Sequence, residues 1–98
     1  MDDIKARWEA YQKQTFPEGI HGKTIQDINL TLLHCDTASC VMTAINMDGM
    51  LSTRAKNQLV TCVEQLEIVI PEMGQVQQEF FKELLVIAKE LKAKVRTP

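Results

Sequence analysis

The sequence predicts an all-α protein, a four-helix up-and-down bundle, and two observations favour this fold class. Apolar residues recur at spacings of three and four along most of the chain, as on one face of an α-helix. Turn signals interrupt that pattern near Pro17, Gly49 and Pro71. The chain has 98 residues, 45% hydrophobic and 24% charged, so we expect a single domain over residues 1–98 with one core.

The first helix is predicted over residues 3–15. Two aspartates at its start suit the positive end of the helix dipole. Trp8 is the only tryptophan, and we interpret it as a packing anchor. The segment Phe16–Gly19 then breaks the helix, because Pro17 and Gly19 suit a tight turn. One narrow apolar stripe runs along this helix and is made of Ile4, Trp8, Tyr11 and Thr15.

The second helix, predicted over residues 26–47, is central to the fold. Residues 24–47 contain no Lys or Arg, and their only charges are Asp27 and Asp36. A helix that is apolar on two sides is normally covered on both. One side carries Leu30, Leu33, Thr37, Cys40, Ala44 and Met47, and the other carries Ile28, Leu32, Cys35, Ser39 and Met42.

The start of the second helix has two interpretations. Thr24 and Asp27 resemble a capping box, which predicts a helix from this point. Ile28, Leu30 and Leu32 also alternate, which is typical of a short extended segment. The length of the helical pattern favours a helix, with its start between Thr24 and Leu30.

The third and fourth helices are predicted over residues 52–70 and 75–95. Gly49 is a natural left-handed cap for the preceding helix, and Ser52 or Thr53 caps the third. Pro71 ends the third helix near Ile70. The spacing places these residues in the core: Leu33, Ala44, Leu59, Leu66, Phe80, Leu84 and Ile87.

Composition argues against several classes of function. A net charge of −2 and a pI near 5.6 do not suit a general nucleic-acid or anionic-membrane binder. No apolar run is long enough to cross a bilayer, and the charged first residues are unlike a signal peptide. Three cysteines without paired spacing indicate reduced thiols in a cytoplasm. We expect no cofactor.

The residues around His34 are the candidates for chemistry on the second helix. His34 and Thr37 share a helix face, and a hydroxyl beside a histidine can form a nucleophile pair. No carboxylate is placed to orient His34, since Asp36 points away around the helix. No two of His34, Cys35 and Cys40 repeat at three or four, so a metal site on this helix is not expected. The pattern favours a non-enzymatic protein.

Three motifs carry a resemblance to a known group of proteins. They are Phe16–Gly19 (FPEG), Asp36–Cys40 (DTASC) and Asp48–Leu51 (DGML). The chain resembles, over roughly residues 8–91, small bacterial all-helical proteins that carry such motifs and have no assigned activity. The resemblance implies a bacterial cytoplasmic helical protein. It also draws attention to the FPEG loop and the Asp36 segment as candidates for function.

Two functions therefore stay open. The favoured one is a binding or regulatory module that acts through helix faces, as a homodimer or with another helical protein. Its candidate interface is Ile28, Leu32, Cys35, Ser39, Met42, Phe81 and Leu85. The alternative is a small-ligand or metal site, with or without weak catalysis, between the loop 17–23 and His34. Its candidate residues are His21, His34, Asp36 and Thr37.

Overall fold

The computed structural model describes residues 1–98, which form a bundle of four α-helices. This confirms the predicted all-α class and adds a small β-hairpin before the second helix. A 3₁₀ turn over Ile70–Glu72 contains Pro71 and links the last two helices. The helices are α1 (Asp2–Gln12), α2 (Leu30–Asn46), α3 (Thr53–Val69) and α4 (Gln75–Lys94), and the strands are β1 (Thr24–Ile25) and β2 (Ile28–Asn29).

α2 begins at Leu30, the last residue of the range predicted for its start, so residues 26–29 are not helical and the prediction that Thr24 caps the helix was wrong. Thr24 instead pairs with Asn29 across the antiparallel hairpin. The hairpin turn holds Gln26 and Asp27 in the left-handed region, at φ of 50° and 64°. Asn29 caps the helix, because its side chain accepts a hydrogen bond of 3.0 Å from the Leu32 backbone N–H. The alternative of a short extended segment was correct up to Asn29.

The other predicted helix ends agree with the structure within a few residues. α1 ends at Gln12 rather than residue 15. Gly49 has φ of 86°, and its N–H donates to the Ala44 carbonyl at 2.7 Å, as expected of a left-handed cap. The Ser52 hydroxyl accepts from the Ala55 N–H at 3.1 Å and so caps α3.

The core lies between α2, α3 and α4, and α1 covers it mainly along α4. The Arg7 guanidinium binds the Glu90 carboxylate and ties α1 to α4. None of the helices combines the length and apolar character that crossing a membrane requires. Every residue predicted for the core is buried: Leu33, Ala44, Leu59, Leu66, Phe80, Leu84 and Ile87.

The end of the chain closes the bundle beside the α2–α3 turn. The Arg96 N–H donates to the Gly49 carbonyl, and the Leu51 N–H donates to the Arg96 carbonyl, both at 2.8 Å. The Arg96 guanidinium also donates to the Asp48 carbonyl at 2.8 Å. These bonds hold the α2–α3 turn at the end where α4 finishes.

Candidate functional site

The two apolar sides of α2 have different environments. On the inner side only Met47 is exposed, and the other five predicted positions are buried. On the other side, Leu32 is 59% exposed and Met42 is 43% exposed, with Cys35 and Ser39 also exposed. We call these four residues the outer stripe. The expectation that both sides would be covered is therefore wrong within this chain.

Three residues of the predicted interface lie elsewhere. Phe81 is fully buried in the core, so it cannot add to an exposed surface. Ile28 belongs to β2 rather than to the helix. Ile28 and Leu85 are both half-buried. The outer stripe alone spans Leu32 to Met42, about 15 Å at 1.5 Å per residue. A stripe of this length offers only a small area, whereas each partner of a stable dimer buries about 800 Å².

All five aromatic residues of the chain and both histidines meet in one place. Each ring has its centroid within 6.3 Å of another in the group. The rings come from α1, α2, α4 and the segment between α1 and β1. We call this group the aromatic cluster: Trp8, Tyr11, Phe16, His21, His34, Phe80 and Phe81.

His34 lies at the centre of the aromatic cluster. Its ring stacks on Tyr11 at 6.0 Å and on Phe80 at 5.6 Å. Phe16 meets it edge-on at 5.0 Å. Burial among these rings lowers the pKa of the His34 imidazole below its ordinary 6.5. The imidazole is therefore neutral at pH 7.

An open pocket of about 270 Å³ lies against the aromatic cluster. Its deeper wall is formed by buried rings, and the exposed side chains of Gln12, Gln14 and Met42 surround its opening. No charged side chain contacts it. We call it the aromatic pocket, and it is lined by Trp8, Tyr11, Gln12, Gln14, Phe16, His34, Ala38, Met42 and Phe80.

Two polar atoms in the walls of the aromatic pocket lack hydrogen-bond partners. They are Tyr11 Oη and His34 Nε2, and both are buried. A buried polar atom left unpaired costs about 1–3 kcal/mol, so native proteins rarely keep one without a reason. Burial, assisted by the negative charge of Glu83, raises the pKa of Tyr11 well above its usual value. Its hydroxyl therefore stays protonated and able to donate.

A second groove, of about 200 Å³, adjoins the aromatic pocket. The two share Trp8, Gln12 and Met42, so they are neighbouring parts of one cleft between α1 and α2. The second groove is more polar, because Lys5, Glu9 and Asn46 line it. The charges along this cleft are the opposite charges of Lys5 and Glu9, and the Glu83 carboxylate lies close enough to Tyr11 to act on its hydroxyl.

The structure brings together two of the four residues proposed for a ligand site. The rings of His21 and His34 both contact the Phe16 ring, with centroid distances of 4.8 Å and 5.0 Å. Asp36 is exposed and lines no pocket. Thr37 is fully buried, and its hydroxyl donates to the Leu33 carbonyl at 2.7 Å. That hydrogen bond uses the only proton that Thr37 could give to a base.

The cysteines occupy two settings. Cys35 is exposed, whereas Cys40 and Cys62 are buried between α2 and α3, and the Cys40 thiol donates to the Ala55 carbonyl at 3.8 Å. The neighbouring Cys62 thiol and burial raise the pKa of Cys40, and the neighbouring Cys40 thiol lowers the pKa of Cys62. All three thiols are free. No group of three or more His, Cys, Asp or Glu side chains converges as metal ligands do.

Sequence reasoning assigned the rings of the pocket to packing and missed their shared cavity. Helical spacing did place Trp8 and Tyr11 on the inner face of α1. Their meeting with His34 depends on how α1 lies across the bundle, which spacing within one helix cannot give. The sequence offered one chemical signal: Tyr11 lies on a core-facing stripe and His34 lies beside one, and both rings carry polar atoms.

Comparison of the chain with models of protein families, with curated proteins and with solved structures finds no match.

Proposed function

We propose that this protein is a non-enzymatic binding module that holds a small, largely apolar molecule in the aromatic pocket. The observation that carries the proposal is the pair of buried, unpaired polar atoms, Tyr11 Oη and His34 Nε2, in the walls of an open pocket. Ligand sites are typically apolar concavities with a few polar groups that orient the ligand. This pocket has that composition.

The volume of the pocket limits the size of the ligand. A dry cavity of about 150 Å³ holds one benzene molecule. The aromatic pocket, at about 270 Å³, therefore suits a molecule of one or two rings. Larger ligands would have to extend into the neighbouring groove beside Lys5 and Asn46.

Binding without catalysis is supported by the surroundings of His34. A catalytic histidine needs a nucleophile or substrate proton within reach and a group that orients the ring. Thr37 donates to a backbone carbonyl instead, and Asp36 is exposed and lines no pocket. The His34 ring stacks on the rings of Tyr11 and Phe80, so it forms part of the pocket wall.

The test is an NMR titration of ¹⁵N-labelled protein with p-xylene. We expect saturable shifts of the Trp8 indole and of the amides around His34, with a dissociation constant on the order of 1 mM. Ala38 lines the pocket and is half-buried, so Ala38→Trp should fill the pocket and abolish the shifts. Ala93→Trp, at an exposed position of α4, is the matched control and should bind normally.

Unsaturable shifts, or equal binding by Ala38→Trp and Ala93→Trp, would contradict the proposal. Either result would mean that p-xylene meets the protein surface at large. If Ala38→Trp folds poorly, saturation of the shifts in the wild-type titration still tests the proposal.

A second candidate function is self-association through the outer stripe. It is favoured by the exposure of Leu32 and Met42, 59% and 43%, on a helix whose only charge is Asp36. Exposed apolar stripes of this kind often mark interaction surfaces. Light scattering at micromolar concentration should then report a dimer, and Met42→Glu should be monomeric. Val76→Glu, at an exposed position of α4 outside the stripe, is the control. A monomeric wild type would eliminate this candidate.

The cellular setting belongs to the same proposal. We place the protein in a bacterial cytoplasm, since a reducing compartment suits three free thiols. Mass spectrometry of the protein from its native cell, with free thiols alkylated at lysis, tests this. Three alkylated cysteines are expected, and a disulfide would contradict it.

A further inference from the structure

We infer that the ligand of the aromatic pocket is a neutral aromatic molecule that carries a hydroxyl group, and that this hydroxyl pairs with Tyr11 Oη or His34 Nε2. The inference rests on the proposed function and narrows it to a chemical class, the phenols and aromatic alcohols. Three features of the site support it: its rings, its lack of charge and its two unpaired atoms.

The walls select a planar, apolar body. Trp8, Tyr11, Phe16 and Phe80 all line the pocket with aromatic rings. Aromatic rings prefer offset-stacked or edge-to-face partners at centroid distances of about 4.5–7 Å. The rings of the cluster already adopt both arrangements with one another, for example Tyr11 with Trp8 at 5.5 Å and Phe16 with Phe80 at 5.5 Å. A flat guest can continue the same pattern.

The absence of charge in the lining argues against an ionic ligand. A buried carboxylate requires a cation or several hydrogen-bond donors, because its desolvation is costly. The aromatic pocket has no cation, and the amine of Lys5 in the next groove is accompanied by the carboxylate of Glu9. An organic cation could rest on the rings. A quaternary ammonium group, however, would leave both Tyr11 Oη and His34 Nε2 without a partner.

A hydroxyl group is the simplest partner for the two unpaired atoms. It donates one hydrogen bond and accepts others. It therefore matches the Tyr11 hydroxyl, and it matches His34 Nε2 whether or not that nitrogen carries the proton. A carboxylate can only accept, and a hydrocarbon can do neither.

The hydroxyl must displace part of the wall to reach these atoms. Tyr11 Oη and His34 Nε2 are both closed off from water. Phe16 is the pocket ring best placed to move, because it belongs to the irregular segment between α1 and β1, whereas the other rings are on helices. Phe16 also contacts His34 directly, edge-on at 5.0 Å. We therefore expect the hydroxyl to enter beside Phe16.

The test compares four para-substituted toluenes in the same NMR titration: p-cresol, p-xylene, p-toluate and 4-methylphenyltrimethylammonium. A pocket without a hydrogen-bond partner would prefer p-xylene to p-cresol, because the hydroxyl loses its water. We expect the opposite order, with p-cresol bound about tenfold more tightly than p-xylene, since one good hydrogen bond contributes about that factor. We expect p-toluate and the ammonium compound to bind more weakly than p-cresol.

Tyr11→Phe and His34→Phe each remove one of the two atoms and keep an aromatic ring, so the preference for p-cresol should fall several-fold in at least one of these variants. A preference that survives in both would overturn the inference. Val76→Thr, at an exposed position of α4 that lines no pocket, is the control and should keep the preference.

Each of three other outcomes of the titration would overturn the inference. If p-xylene binds as well as p-cresol, and Ala38→Trp blocks both, the pocket binds apolar molecules but the hydroxyl inference is overturned. If the ammonium compound or p-toluate binds most tightly, the inference is overturned in favour of a charged ligand. If none of the four produces saturable shifts, the inference and the proposed function both fail.

Discussion

Thr37 and His34 are polar residues one turn apart on α2, and they belong to two differently built regions. Thr37 is fully buried, and its hydroxyl donates to the Leu33 carbonyl at 2.7 Å. His34 is half-buried among aromatic rings, and its Nε2 has no partner. The region around Thr37, between α2 and α3, is therefore a hydrogen-bonded core. The region around His34 leaves hydrogen bonds unmade and has an open pocket.

The first region stabilises the bundle, and the second contains the proposed binding site. Packed apolar side chains such as Leu59 and Leu66 stabilise the first region, at 0% exposure. The second region gives up about 1–3 kcal/mol for each unpaired buried atom. A fold tolerates such a cost where the atoms serve a ligand. Substitutions in the two regions should therefore have opposite signs.

The largest expected effect is in the aliphatic core. Leu66→Ala or Leu84→Ala should lower the free energy of unfolding by about 2–5 kcal/mol, because each leaves a cavity at a fully buried position. Denaturant titration measures the loss, and Val76→Ala at an exposed site is the control. A loss below about 1 kcal/mol at both leucines would place the core elsewhere.

A smaller effect of opposite sign is expected at the aromatic pocket. Tyr11→Phe should raise the free energy of unfolding of the unliganded protein by about 1 kcal/mol, because it removes a buried donor without a partner. The same denaturant titration checks it. A loss of stability would show that the Tyr11 hydroxyl is bonded within the protein, which would remove the main support for a ligand there.

Thr37→Val provides the matched substitution in the other region. It keeps the shape of the side chain but removes the hydrogen bond to the Leu33 carbonyl. The free energy of unfolding should fall by about 0.5–1.5 kcal/mol. A gain in stability at Thr37, similar to that at Tyr11, would erase the difference between the two regions.

The smallest effect is a pH dependence that arises from His34. Burial lowers its pKa in the folded state below the 6.5 of the unfolded chain. At a pH between the folded-state pKa and 6.5, His34 is protonated in the unfolded chain and neutral in the folded one. The free energy of unfolding therefore rises with pH in this range and reaches its full value above 6.5. The free energy of unfolding should therefore decline as the pH falls below 6.5, and His34→Phe should reduce that decline. An unchanged pH profile in His34→Phe would contradict a desolvated imidazole.

Periodicity and turn chemistry predicted most of the fold. Seven core residues were assigned correctly because a helix with one buried face repeats every 3.6 residues. Gly49 and Ser52 were assigned from local geometry, which depends on neighbouring residues alone. The hairpin at Thr24–Asn29 was missed because its turn uses Gln26 and Asp27 in the left-handed region, where glycine or asparagine is the usual signal.

The site was harder to predict than the fold. His34 was identified as a candidate, yet its proposed partner Thr37 faces a backbone carbonyl. Phe81 was expected in an exposed interface, but it is fully buried and belongs to the aromatic cluster. Which rings meet across helices is decided by how the helices cross, and sequence spacing within one helix does not contain that information.

The most direct test of the account is a crystal structure of the protein grown with saturating p-cresol. We expect the ring of p-cresol in the aromatic pocket, with its oxygen about 2.6–3.0 Å from Tyr11 Oη or His34 Nε2. An empty pocket, with both of these atoms hydrogen-bonded to other groups of the protein, would contradict the account.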